Sequence, residues 1–145
     1  MALILSNAGG GMSLKCGDVV TGSLTGSHTD ANYEFTVCYV DDTKVCLLGN
    51  SSLGSALWAT AVGYTWSVAF DAGVIKPSAV TVDNVKIPTG AQIGNECAGY
   101  NRSFGYWTST ETSGTKALWV YGGQVYPWDK TPDAEPVIPF VEITL

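Results

Sequence analysis

The densest apolar patterning lies toward the carboxy terminus. There Phe104-Gly-Tyr-Trp-Thr-Ser-Thr-Glu111, Ala117-Leu-Trp-Val-Tyr-Gly-Gly-Gln-Val-Tyr126 and Val137-Ile-Pro-Phe-Val-Glu142 read as short strands. The middle segment is apolar or aromatic at nearly every position and is broken by Gly122-Gly123. That pattern predicts a tight hairpin whose arms are buried on at least one face. Upstream, Tyr33 to Val40 reads as a strand, and the polar run Thr21 to Ala31 as a long hairpin loop joining it to Val19-Val20. No stretch shows helical periodicity, so strands and turns should dominate.

The amino terminus has a different texture. Residues 1–14 form an arm: a short apolar strand, then Ser6-Asn-Ala-Gly-Gly-Gly11, then Met12-Ser-Leu14. Such a segment cannot bury its side chains on itself, and its glycines make a flexible joint. The expectation is that the Ala2 to Leu5 strand adds to a neighbouring subunit or to another partner protein by strand augmentation. Residues 15–145 then make one domain, a length able to bury a core without metals or bridges.

Composition narrows the function classes. The 145 residues include 17 glycines and only 14% charged residues, which favours sheets and turns over long helices. The net charge of −6 and the scattered basic residues argue against a nucleic-acid binder, which needs a positive surface to displace counterions. No run approaches the roughly 20 apolar residues of a membrane span, so no membrane partner is expected. Ala2 to Leu5 is too short for the core of an export signal and lacks a preceding basic region.

The order of these segments resembles a known family. In the C-type-lectin-like domains of bacterial and phage surface proteins, "GYWSSTE" precedes an "AWYV…G.VY" hairpin and a final "V(R)PV" strand. These include the Fibrobacter-type paralogous domains and distant relatives of formylglycine-generating proteins. Tyr39-Val-Asp-Asp-Thr-Lys-Val-Cys-Leu-Leu48 is similar to the family's first hairpin, with Asp41 to Lys44 as its turn. Gly54-Ser-Ala-Leu-Trp-Ala-Thr60 is similar to "GSAxWAT", and Ile87-Pro-Thr-Gly-Ala-Gln-Ile93 to "RLPTxxEL". Two positions depart from the pattern: the basic residue before the first of these prolines is displaced to Lys86, and Ile138 replaces the usual Arg before the last. The resemblance implies a strand-rich α+β, C-type-lectin-like fold with an amino-terminal β-hairpin and an extended arm. The helix after Pro88 should be short, because Gly90, Gly94 and Gly99 make a poor helix interior.

Candidate chemistry is sparse. Cys16, Cys38, Cys46 and Cys97 allow three pairings. Cys38 and Cys46 lie symmetrically about Asp42, so a hairpin centred there would set them face to face, either as a cross-strand bridge or as buried thiols; the latter is the favoured reading. No cysteines show CxxC spacing and His28 is the sole histidine, which speaks against a structural zinc. His28 sits in a Gly-Ser-His-Thr-Asp loop and reads as a solvated turn residue rather than a base. Ser109 lacks the glycines of a nucleophile elbow. The cysteine pair of formylglycine-generating relatives has no match, because only Cys97 lies in the second half. Glu135-Pro-Val and Trp128-Asp-Lys lack the amides that a calcium-dependent sugar site would use. Asp129, Asp133 and Glu135 read as a solvated acidic loop rather than a cation site. Neither an enzyme nor a cofactor is expected.

Aromatic residues remain. Trp58, Trp107 and Trp119 read as core. Gln124, Tyr126 and Trp128 project to one side of a strand, and Gln124 marks that side as meeting solvent. With Tyr121, and with Asp129 and Lys130 beside them, these are the candidate binding residues, and Asn101 and Arg102 are the candidate rim. In variable proteins of the resembled fold this hairpin carries the ligand contacts. The expectation is therefore a non-enzymatic, oligomeric virion surface protein, a phage head-decoration or fibre component, that contributes to particle assembly and host-surface attachment through glycan or protein. The alternative is a secreted or cell-surface bacterial adhesin module.

Overall fold

The computed structural model describes residues 3–4 and 13–145. It is strand-rich, with 49% strand, 8% helix and two helices among the described residues, and is compatible with an α+β class. Leu3–Ile4 (β1) pairs antiparallel with Ser13–Leu14 (β2) of the same chain. The rest of the expected arm strand and its glycine joint lie outside the described residues.

The main sheet is antiparallel throughout. It contains Val19–Gly26 (β3), Asp30–Val40 (β4), Lys44–Gly49 (β5), Trp66–Phe70 (β7), Val80–Val85 (β8) and Phe140–Thr144 (β13), in the order β13-β5-β4-β3-β7-β8. An antiparallel bridge between Lys86 and Phe140, in which the Phe140 N–H donates to the Lys86 carbonyl at 3.0 Å, returns the far end of β8 to β13. The sheet thus curls until its two edge strands touch at one point. Between β5 and β7 the chain forms Ser55–Ala56 (β6) and the short helix Trp58–Ala61 (α1). After β8 come the helix Gly90–Glu96 (α2) and a second antiparallel sheet of Tyr106–Glu111 (β9), Lys116–Tyr121 (β10) and Gln124–Asp129 (β11), ordered β11-β10-β9. Glu135–Pro136 (β12) pairs with β6.

Strand β5 explains how the sheets share a core. Val45 to Gly49 are all buried. Val45 and Leu47 enter one apolar cluster with Phe35, Trp66, Phe70 and Trp107. Cys46 and Leu48 enter a second with Ile93, Cys97, Tyr106 and Val120. A strand buried on both faces reads as a continuous apolar run rather than an alternating one. Helix α2 opens on a capping box: the Thr89 side chain accepts from the Gln92 N–H at 3.0 Å, and the Gln92 side-chain oxygen Oε1 accepts from the Thr89 N–H at 2.9 Å.

The segment Thr21 to Ala31 is not a long loop. Most of it is strand, and the connection shrinks to Ser27–Thr29. Val20, Gly22 and Leu24 point inward, and Thr21, Ser23 and Thr25 point to solvent. The alternation is hidden because glycine occupies the middle inward position. A β-carbon on Gly22 would lie 2.6 Å from a Val68 methyl and 2.9 Å from the Phe70 ring, so neighbouring side chains fill the place its own would take.

The cysteine register also departs from expectation. Val37 pairs with Leu47 but Tyr39 with Cys46, which leaves Cys38 as the extra residue of a bulge. Cys38 therefore does not oppose Cys46.

Candidate functional site: an aromatic face on the carboxy-terminal hairpin

Strands β10 and β11 are joined by Gly122 and Gly123 alone, with φ of 60° and 77°. A two-residue turn with both central φ positive matches the right-handed twist of the strands it joins, and glycine adopts it without steric cost. Tyr121 pairs with Gln124, Trp119 with Tyr126 and Ala117 with Trp128. The period of two along each strand puts all six on one face.

On that face Trp119 is central and half-buried. Its indole stacks on Trp128 (centroids 4.3 Å apart, planes 21° apart) and on Tyr121 (5.6 Å, 8°), with Tyr126 tilted at 6.5 Å. Beneath it is Gly105: a β-carbon there would fall 1.8 Å from Trp119 Cζ2, so the indole lies directly on glycine backbone. Trp107 on β9 pairs with Trp119 and is fully buried. The outer rings are exposed, Tyr121 by 52%, Tyr126 by 41% and Trp128 by 38%. Tyr126 and Trp128 lie on β11, the edge strand of this sheet among the described residues, and Tyr121 lies at the turn end of β10. Pro127 lies within this edge strand and withholds one N–H from any further strand.

Beside Trp128 a groove of about 250 Å³ runs to the Thr131–Asp133 segment, with Asp129, Asp133 and Lys116 in its wall. Lys116 Nζ donates to Asp129 at 2.7 Å. Behind Trp119 lies Glu135, whose carboxyl is raised above its ordinary range by burial and lowered in part by the indole. Among the described residues the Trp119 N–H nonetheless has no partner in hydrogen-bonding geometry.

Tyr121, Gln124, Tyr126 and Trp128 are thus brought together, and Tyr126 OH donates to Gln124 Oε1 at 3.1 Å. Asn101 sits over the hairpin tip, its Oδ1 2.1 Å from where a β-carbon on Gly123 would be. Arg102 turns inward: Nε donates to the Gly49 carbonyl at 2.8 Å, and Nη2 to the Leu48 carbonyl at 3.1 Å and to Asn50 Oδ1 at 3.0 Å. Lys130 is committed as well, to Glu111, to the Gly114 carbonyl at 3.1 Å and to the face of Trp58 at 4.4 Å, with its side chain only 14% exposed. Both are braces of the fold. Trp58 is only partly buried; its indole N–H donates to the Thr108 carbonyl at 3.0 Å. The residue that pattern reading missed is Trp119, assigned to the core although its two-residue spacing from Tyr121 already put both on one side.

The remaining polar candidates lie elsewhere. His28 is half-buried, edge-on to Tyr64 at 4.8 Å, and its Nδ1 accepts from the Trp66 indole at 3.1 Å. Among the described residues no group of three or more His, Cys, Asp and Glu is placed to hold a metal ion. Nor, among them, is any helix long and apolar enough to cross a membrane. Comparison with known proteins yields no matching family model, curated protein or solved structure.

Proposed function

We propose that the protein is a non-enzymatic virion surface component, a phage head-decoration or fibre protein, whose C-type-lectin-like domain grips a host-surface partner through the β10–β11 face. The observation that carries this reading is the cluster of Trp119, Tyr121, Tyr126 and Trp128. Three of its rings are exposed, and one of them, Trp128, lines a groove with carboxylates. Aromatic side chains offer broad rigid contact area at small conformational cost, and rings of this kind form the anchors of binding surfaces. Flat faces suit stacking on sugar rings, and Asp129 and Asp133 can accept hydrogen bonds from hydroxyl groups. The lectin-like architecture is supported by the family-like order of segments, the short capped helix after Pro88 and the three-stranded sheet that follows it. Assembly with sister subunits or other virion proteins through the amino-terminal arm belongs to the same proposal.

The test is binding of purified protein to host cells, with Tyr126→Ala/Trp128→Ala as the variant. Binding should fall at least about tenfold, as for loss of an interface anchor. The melting temperature should fall by roughly 3–12 °C with the fold retained, the cost of losing two ring pairs with Trp119 at about 0.5–1.5 kcal/mol each. Periodate oxidation of surface sugars should abolish wild-type binding; retained binding would instead identify a protein partner. A variant that binds as well as wild type, or that unfolds, removes the site. Copurification with particles separates a virion protein from an adhesin module with the same face.

A further inference from the structure

The cysteines carry an observation that the binding face does not use. Cys38 is the bulged residue of β4, and Cys97 is the residue that ends α2. Their sulfurs lie 2.7 Å apart, while Cys38 and Cys97 are only 4% and 1% exposed. A covalent disulfide holds its sulfurs about 2.04 Å apart, so closing the pair needs a movement of roughly 0.7 Å. Cys46 does not compete for this partner. It stands opposite Tyr39, its carbonyl accepts from the Cys38 thiol at 3.4 Å, and its own sulfur faces Glu142 at 3.8 Å.

We propose that Cys38 and Cys97 form a disulfide that locks α2 onto the main sheet once the protein meets an oxidising environment. The junction is already pinned non-covalently by Lys44 and Glu96, 3.1 Å apart one residue from Cys97, and the disulfide adds a covalent tie at the same place. The oxidant is a low-molecular-weight disulfide of the oxidised-glutathione class. One cysteine thiolate attacks it and releases one thiol, and the second cysteine then displaces the other. Two protein thiols lose two electrons and two protons, one S–S bond forms as one breaks, and two small thiols leave. Access comes from transient opening of α2, a helix of seven residues that includes Gly90 and Gly94. In the closed state hydrogen bonding to Cys97, together with burial, holds the Cys38 thiol protonated far above its ordinary range. The pair is therefore inert until the helix opens, and the finished bridge is shielded from reductant.

The experiment treats the full chain with reduced or oxidised glutathione, quenches and denatures it in alkylating reagent, and measures intact mass and disulfide-linked peptides. The oxidised sample should carry one intramolecular bridge, with two thiols left to alkylate and a linked peptide pair containing Cys38 and Cys97. Its melting temperature should rise by roughly 10 °C or more over the reduced form, because the bridge closes a long loop. Cys46→Ser should keep the bridge and Cys97→Ser should lose it. Four alkylated thiols after oxidation, a Cys38–Cys46 bridge, an intermolecular bridge or glutathione adducts alone would overturn the proposal. So would an unmoved melting temperature. The wild-type peptide map stands whether or not either variant folds.

Discussion

Gly105→Ala isolates the geometry on which the aromatic face depends. The residue has no positive φ, so alanine meets no backbone penalty and the whole effect is steric. The new methyl would lie 1.8, 2.3 and 2.7 Å from Cζ2, Cε2 and Cη2 of Trp119. Carbon atoms rest at about 3.5–4.0 Å, so the indole must retreat by well over 1 Å. Its way out is away from β9, into the rings stacked on it. Overpacking of this kind costs about 1–3 kcal/mol, and each weakened ring pair adds about 0.5–1.5 kcal/mol. A total of about 2–4 kcal/mol corresponds to a fall of roughly 6–16 °C in melting temperature for a chain of this size. Thermal melts followed by circular dichroism measure that fall, and near-ultraviolet bands report the stacked indoles of Trp119 and Trp128 directly. Gly114→Ala is the control, because a β-carbon there meets nothing within 4 Å. Host-cell binding should drop in Gly105→Ala although every exposed ring is retained. A melting temperature within about 2 °C of wild type, with the indole bands unchanged, would refute the idea that glycine seats the stack.

Two further outcomes follow from the braces around the site. Arg102→Ala should cost about 1–3 kcal/mol in urea denaturation by stranding the buried carbonyl of Gly49 and removing a second donor from that of Leu48, and Arg102→Lys should recover only part because an ammonium cannot reproduce the forked contacts. Asp41 accepts from the Thr43 hydroxyl and N–H, the Tyr39 hydroxyl and the Lys44 N–H, contacts that hold its carboxyl well below its ordinary value of 3.8. A depressed folded-state value means that its stabilisation is complete above that ordinary value and fades as pH falls through and below it. The stability gap between wild type and Asp41→Asn should therefore be widest near neutrality and close in acid. Glu135 titrates with the opposite sign and cancels in that difference. A gap independent of pH would contradict the assignment.

The parts of the fold legible in the residues were those where local pattern and tertiary role agree. Gly122-Gly123 between alternating aromatic arms dictates a two-residue turn, and the turn sets the register that places Tyr126 opposite Trp119. Asp41 to Lys44 is legible for a similar reason, since an aspartate able to bond the N–H groups ahead of it closes its own turn. Strand β3 was illegible because Gly22 supplies inward space instead of an inward side chain. The offset of Cys38 from Cys46 was illegible because a bulge shifts register by one residue without changing the apolar pattern. Arg102 reads as a surface charge because its carbonyl partners belong to β5, a long way back in the chain, and nothing in its neighbourhood announces them.

The half-burial of Trp119 joins the fold to the proposed function. Val120 and Tyr106 anchor the second sheet to the cluster that contains α2, while Trp107 and Ala117 anchor it to the main-sheet cluster. The hairpin is therefore gripped through both faces at its β9 side, β11 adds Val125 to the cluster that contains α2, and the outer rings stay exposed. A ring that is wholly exposed must lose rotamer freedom when it binds, and that loss subtracts from affinity. Trp128 and Tyr121 have already lost much of it by lying against Trp119, which itself rests on Gly105 and the core. The face is preorganised through one indole. Consequently Trp119→Phe, which keeps an apolar core contact but shortens the stacking surface, should weaken binding more than it weakens the fold.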